Sequence, residues 1–154
     1  MADNYVANAG SGGSTFAADD VGTVLYARVK RSFGSDGLVA DSGTGFRLLS
    51  AASTNATSLK ASAGVLYSLY VINLNAAVRY LKFYNKASSP TVGTDTPVAT
   101  FPIPANSTGA GFSINLDPGI SFATGIAYAT TTGIADSDTA AVAANEIIIV
   151  GVYV

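Results

Sequence analysis

Hydrophobic and polar side chains alternate with a period of two along much of the chain from residue 21 onward. In the segment of residues 23–33, Leu25, Ala27 and Val29 share one face, and the residues between them are mostly polar or charged. This alternation is typical of β-strands with one buried face. No segment keeps a 3.6-residue period over three helical turns. The pattern therefore predicts an all-β fold.

Turn-forming residues divide the chain into short strands, which we predict at residues 23–33, 46–50, 56–62, 65–74, 78–85, 98–104, 112–116, 120–122, 125–132 and 146–154. The strands at 65–74 and 78–85 are expected to form a hairpin across residues 75–77. Residues 34–37 and 117–119 are expected to form turns, 86–97 a loop, and 135–144 a loop or a single helical turn. Short, regularly spaced strands with little helix predict an antiparallel β-sandwich of the jelly-roll type.

The last nine residues, EIIIVGVYV, are apolar on both faces of an extended strand. One face of a strand can pack on the core, and the other then needs cover from a second sheet or from another subunit. The segment therefore indicates a protein that assembles with other molecules.

Two other strands carry features of a sheet margin. In the strand at 78–85, one face carries Lys82 and the other Arg79, each beside aromatic side chains. Long cationic side chains can lie along apolar surface while their charged ends stay in water, so we expect this strand at the rim of a sheet or at an interface. Pro102 and Pro104 cannot donate ladder hydrogen bonds, so their strand is expected at a sheet edge.

Residues 1–20 are rich in Gly and Ser and predict an extended N-terminal arm ahead of a single β-sandwich domain at residues 21–154. The arm has little apolar surface to bury, and its sizeable apolar anchors are Tyr5, Val6 and Phe16. We expect a neighbouring subunit to hold the arm. The alternative is an arm that folds back on its own domain.

The composition favours a structural role over catalysis. Of the 154 residues, 12% are charged and 49% hydrophobic, so the surface is neutral or is covered by neighbours. A secreted β-protein could share this composition, although no secretory signal is expected here. The chain has no His, Cys or Trp, which removes the commonest general base, the thiolate nucleophile and the softer metal ligands. The net charge of −2 disfavours a nucleic-acid partner, and no apolar stretch is long enough for a membrane helix.

Few side-chain clusters could carry binding chemistry. Acidic residues occur at 19–20, at 136 and 138, and at 95 and 117, but their spacing lacks the loop pattern of calcium sites. We therefore expect no metal and no cofactor. Tyr26, Arg28 and Lys30 form a small basic stripe at strand spacing, which indicates either a contact with an acidic partner surface or an ordinary solvated strand face.

Two blocks of sequence resemble structural proteins of tailed-bacteriophage virions. The first is MADNYVANAGSGGSTFAADDVGTVLYARVKRSFGSDG, in which a polar arm leads to an A-D-D-V-G element, a Y-A-R-V-K strand and a G-S-D-G turn. The matching residues are 18–22, Tyr26, Arg28, Val29, Lys30 and 34–37. The second block comprises residues 66–105 and 119–139, which are similar to a recurrent module of such proteins.

The resemblance implies a non-enzymatic capsid decoration, or cement, protein that binds the major capsid protein lattice and stabilises the head. It also implies homo-oligomers, as trimers or dimers, made in the host cytoplasm and carried on the outer surface of the capsid. The expected contact residues are Tyr5, Val6, Phe16, Tyr26, Arg28 and Lys30. The alternative is a head-fibre, tail or spike subunit that binds host-surface glycans through tyrosines such as Tyr67, Tyr80 or Tyr84.

Overall fold

The computed structural model of the chain describes residues 43–106 and 111–154 in full and, nearer the N-terminus, the backbone of residues 4–6, 15–21 and 24–27. All regular secondary structure in these ranges is β. The strands are β1 (Asn4–Val6), β2 (Thr15–Val21), β3 (Val24–Ala27), β4 (Thr44–Leu49), β5 (Thr57–Lys60), β6 (Gly64–Asn73), β7 (Arg79–Asn85), β8 (Ala99–Ile103), β9 (Phe112–Phe122), β10 (Ile126–Thr131) and β11 (Ile147–Tyr153).

The chain divides into two compact units, residues 1–41 and 42–154. In the first unit, β1, β2 and β3 form an antiparallel sheet in that order. The second unit contains two antiparallel sheets of four strands each. One has the order β5-β10-β7-β8, which we call the β10 sheet, and the other has the order β4-β11-β6-β9, which we call the β11 sheet.

The core of the second unit lies between its two sheets. Alternate side chains of β6 and β11 meet those of β7 and β10 there, and Leu69, Leu81 and Ile149 are among the fully buried ones. The ring of Phe83 stands 6.1 Å from that of Phe101 and 6.2 Å from those of Phe122 and Tyr128, measured between ring centroids. The predicted all-β, antiparallel sandwich is therefore confirmed.

Most predicted strands of the second unit are present. Pro102 lies in β8, an edge strand of the β10 sheet, as its missing amide hydrogen requires. In β9 the predicted alternation also holds, because Phe112, Ile114 and Leu116 pack against the core whereas Ser113 is exposed. The predicted strand at residues 23–33 is described only over β3, and the predicted turn at 34–37 lies outside the described residues.

The hairpin predicted across residues 75–77 is wrong, because β6 and β7 belong to different sheets. The side chain of Asn73 organises the crossing between them. Its Nδ2 donates to the carbonyls of Ala77 and Ile103, and its Oδ1 accepts the amide hydrogen of Asn75. These bonds stabilise a bend at residues 73–77 that leads from one sheet to the other. The strand β6 therefore pairs with β9 and β11, and β7 pairs with β8 and β10.

The expectation that residues 78–85 form a sheet margin is also wrong. The strand β7 lies between β10 and β8, and Lys82 is fully buried on the side of the sheet that faces away from the core. The Nζ of Lys82 donates to the carbonyl of Ala135 at 2.6 Å. Val92 packs against a small cluster that includes Tyr84 on the same side. The long loops before β8 and β11 therefore cover a face that was expected to be open.

The turn predicted at residues 117–119 is an irregularity within the single strand β9. Pairing with β6 passes from Asn115 opposite Ser68 to Ile120 opposite Leu66, so four residues of β9 lie across from Tyr67. The Asp117–Pro118 peptide bond is cis, and Gly119 has a φ of 109°. The additional residues leave and rejoin the ladder, which is how a bulge differs from a turn.

Candidate interaction surface

The outward face of β11 is apolar. Because Ile147 and Ile149 point into the core, strand alternation directs Ile148, Val150 and Val152 to the opposite side of the β11 sheet. Val150 is 43% exposed although β11 is an interior strand. The two-sided apolar strand of the sequence therefore has one face in the core and one face at the surface.

Neighbouring strands extend this apolar surface. Ile148 lies opposite Leu49 on β4 and Ile72 on β6, and Val150 lies opposite Tyr70 on β6. Leu49 is 42% exposed and Tyr70 is 44% exposed. We call this surface the β11 face and define it by Leu49, Tyr70, Ile72, Ile148, Val150 and Val152. None of these six side chains belongs to the packed core of the described residues.

The margins of the β11 face are polar. On the edge strand β4, Arg47 is exposed and lies opposite Val150. On the edge strand β9, Ser113 lies opposite Tyr70, and Ser113 and Asn115 are both exposed. Arg47 is the one charged side chain among these outward positions. An apolar centre between polar margins is the usual anatomy of a protein–protein interface.

Tyr70 is seated on the backbone of Gly111. A Cβ atom added to Gly111 would lie 2.6 Å from the Cζ of Tyr70 and 2.8 Å from the Cγ1 of Ile72. The absence of a side chain at Gly111 therefore lets the ring of Tyr70 pack directly on the backbone just before β9. The sequence identified the apolar final strand. The strand order was needed to place Leu49 and Tyr70 beside it.

On the opposite side of the sandwich, loops cover the outer face of the β10 sheet. Tyr84 is 1% exposed, and its hydroxyl has no hydrogen-bond partner among the described residues. Burial raises the pKa of Tyr84, and the negative charges of Asp136 and Asp95 raise it further. A ring in this position cannot stack on a sugar, so Tyr84 is not available for the glycan contact considered from the sequence. Tyr67 and Tyr80 are half-buried.

A buried polar cluster joins the two sheets at one end of the sandwich. The carboxylate of Glu146 accepts hydrogen bonds from Arg79 Nε, from Asn75 Nδ2 at 3.1 Å and from the amide of Ala143 at 3.2 Å. Ser50 Oγ accepts the amide hydrogens of Glu146 and Ile147, both at 3.0 Å. Because these hydrogen bonds are all made within the chain, we interpret the cluster as structural.

The predicted contact residues near the N-terminus are described only in part. Tyr5 and Phe16 are opposite each other in the register of β1 and β2, and Val6 lies opposite Thr15. Tyr26 on β3 lies opposite Asp19. Arg28 and Lys30 lie outside the described residues, so the predicted basic stripe stays a prediction.

Two of the acidic residues weighed as calcium ligands, Asp95 and Asp138, make local hydrogen bonds instead. Asp138 Oδ1 accepts the amide hydrogens of Gly133 and Ala140, as a turn-forming aspartate does. Asp95 accepts from Lys86 and from the amide of Thr91, and these bonds lower its pKa. Within residues described by the structure, no group of three His, Cys, Asp or Glu side chains could hold a metal ion.

Comparison with known proteins adds no assignment. No protein-family model matches the chain, and neither a curated protein nor a solved structure matches it. In the described part of the chain, no helix is long and apolar enough to cross a membrane.

Proposed function

We propose that this protein is a non-enzymatic structural protein of a tailed-bacteriophage virion, and specifically a capsid decoration protein. In this role it binds the major capsid protein lattice and other copies of itself on the outer surface of the head, and it stabilises the shell. The observation that carries the proposal is the β11 face, an apolar surface on an interior strand with polar margins. The resemblance of residues 1–37 to phage virion proteins supports the class of particle.

We also infer that the sandwich is a jelly roll. The support is the nested pairing of its eight strands: β4 with β11, β5 with β10, β6 with β9, and β7 with β8. This is the pairing of one long hairpin that has been wrapped into two sheets. Such folds recur in viral capsid proteins, lectins and cupins, so the topology agrees with a virion protein without requiring one.

In this proposal, residues 1–20 serve as the arm that contacts the capsid lattice, with the strands β1 and β2 paired within it. The apolar anchors Tyr5, Val6 and Phe16 supply buried area, and Arg28 and Lys30 face acidic groups of the capsid protein. The support is compositional, since a Gly- and Ser-rich segment gains little by packing alone. The assignment as a non-enzyme is supported by the absence of His and Cys from the sequence.

The experiment that tests the proposal is addition of the purified protein to particles that lack it. We expect saturable co-sedimentation, a higher temperature of head disruption, and a copy number in virions that scales with the number of capsid subunits. Failure to bind such particles, or a copy number that matches a tail or a single vertex, would contradict the proposal. Quantitative mass spectrometry of virions supplies the copy number.

The second candidate is a head-fibre, tail or spike subunit that binds host-surface glycans. The observation that favours it is the exposed ring of Tyr70, because sugars stack on exposed aromatic faces. Binding to isolated envelope polysaccharide that is lost in Tyr70→Ala, with no binding to capsids, would support this candidate over a decoration protein.

A further inference from the structure

We infer that the β11 face is the interface between two copies of this protein, which pack sheet against sheet around a two-fold axis that runs parallel to the strands between β11 and β6. The inference deepens the proposed function by assigning a partner to this face, and its biological setting rests on that function. The occupant is a second copy of the chain, and the contact surface is the six side chains of the β11 face.

The polarity of the β11 sheet has the symmetry that self-association needs. Read across the sheet at the level of Val150, the outward positions run from Arg47 on β4 through Val150 on β11 and Tyr70 on β6 to Ser113 on β9. A two-fold axis parallel to the strands reverses this order on the facing copy. At this level each apolar side chain then meets an apolar side chain and each polar side chain meets a polar one, as an isologous contact requires.

The register identifies the facing pairs. Val150 is level with Tyr70, so Val150 of one copy would face Tyr70 of the other. Arg47 is level with Val150, and Ser113 is level with Tyr70, so Arg47 would face Ser113 of the second copy. The guanidinium group of Arg47 thus meets a hydroxyl acceptor, and the axis keeps the two arginines apart by about three strand spacings, roughly 14 Å.

Charge also favours a second copy. The outward positions level with Ile148, Val150 and Val152 carry one cation and no carboxylate, so a strongly charged partner would find few complementary charges there. Two identical faces have no such mismatch, because their centres are uncharged and their cations are separated. Aligned packing of two sheets, with strand directions within about 30° of each other, is the usual geometry for such surfaces.

The size of the face sets the expected strength. Four strands about 4.8 Å apart and seven residues long at about 3.4 Å each have a flat area of about 450 Å². Two such faces amount to about 900 Å², close to the roughly 1,000 Å² that separates stable interfaces from transient ones. We therefore expect reversible pairing in solution, which becomes stronger when neighbouring copies are held on a particle.

The first test is sedimentation equilibrium of the full chain over a wide concentration range. We expect a monomer–dimer equilibrium that Val150→Lys weakens by about tenfold or more, because the ammonium group would lose its water in the interface. The matched control is Val98→Lys, since Val98 is 55% exposed and precedes the edge strand β8 of the other sheet. This control should leave the dissociation constant unchanged.

The second test uses the fact that the chain has no cysteine. A mixture of the Arg47→Cys and Ser113→Cys proteins should form a disulfide-linked dimer under oxidation, and it should do so more readily than either protein alone. Equal linking in the single-variant samples would overturn the proposed axis. Circular dichroism spectra that match the wild type establish that the variants are folded.

Other outcomes assign the face to a different occupant. A wild-type protein that stays monomeric up to about 1 mM would overturn the inference. Loss of thermal stability in a monomeric Val150→Lys protein would indicate that the face is covered within the chain, and loss of capsid binding alone would indicate the capsid protein; either result would overturn the inference. If the protein dimerises through this face but does not bind capsids, the proposed function fails and the inference stands.

Discussion

Tyr84 and Tyr153 are two tyrosines of the same sandwich with opposite hydrogen-bonding states. The hydroxyl of Tyr84 is buried without a partner among the described residues, whereas that of Tyr153 donates to the carbonyl of Leu59 at 3.1 Å. An unpaired buried hydroxyl costs about 1–3 kcal/mol, and a paired one contributes about 1 kcal/mol. Removing the two hydroxyls should therefore have effects of opposite sign.

We predict that Tyr84→Phe raises the free energy of unfolding by about 1 kcal/mol and that Tyr153→Phe lowers it by about 1 kcal/mol. Urea unfolding at neutral pH measures both values, and Tyr153→Phe is the control for the loss of a hydroxyl. If Tyr84→Phe destabilised the protein as much as Tyr153→Phe, the hydroxyl of Tyr84 would have to be satisfied.

The free energy of unfolding should also depend on pH in the alkaline range, and Tyr84→Phe tests the cause. Burial raises the pKa of Tyr84 above its ordinary value of about 10. The stability linked to this proton is complete below pH about 10 and is lost as the pH rises through the raised pKa. Unfolding free energies measured above pH about 10 should therefore fall more steeply in the wild type than in Tyr84→Phe.

At the scale of elements, Glu146 links the start of β11 to the start of β7. Its ion pair with Arg79 is nearly enclosed, since the side chains are 13% and 5% exposed for Arg79 and Glu146. Glu146→Ala leaves the guanidinium buried without its partner, which costs about 3 kcal/mol. The control is Asp95→Ala, which breaks a more exposed pair with Lys86 and should cause a clearly smaller loss in urea unfolding. Equal losses would contradict this role for burial.

The irregularity in β9 depends on one glycine. Gly119 has a φ of 109°, and a Cβ there would lie 2.5 Å from the Cγ1 of Val65 and 3.1 Å from the carbonyl oxygen of Leu66. Gly119→Ala should lower the free energy of unfolding by about 2 kcal/mol. The positive φ is unfavourable for alanine, and the added methyl group would overlap neighbouring atoms. Gly45→Ala is the matched control in β4. With no atom within 4 Å of its added Cβ, it should be neutral or slightly stabilising.

At the scale of the whole molecule, we expect apolar contacts to join two copies of the protein and cationic contacts to bind the capsid. Raising the salt concentration from about 0.05 M to about 0.5 M screens charges but does not weaken apolar burial. We therefore predict that the dimer dissociation constant stays constant or falls, while capsid binding through Arg28 and Lys30 weakens. Sedimentation and capsid co-sedimentation in the same buffers measure the two effects. A dimer that dissociates with salt would indicate charged contacts instead.

The positions of several strands could be predicted from the sequence, whereas the pairing of strands distant in the chain could not. The strand around Phe112 was predictable because side-chain alternation depends only on the pleat of the strand itself. The edge position of β8 was predictable because Pro102 lacks an amide hydrogen. The partners of β6 and β7 were not, because a short polar connection suits a hairpin and a crossing between sheets equally well.

The sequence by itself determined that the second unit consists of short antiparallel strands, that its final strand is apolar on both sides, and that His and Cys chemistry is absent. Only the tertiary structure decided that Lys82 and Tyr84 are enclosed and that Leu49 and Tyr70 join Val150 at the surface. The physical reason is that alternation specifies two faces for each strand, whereas the choice of the face that becomes buried depends on partners distant in the chain.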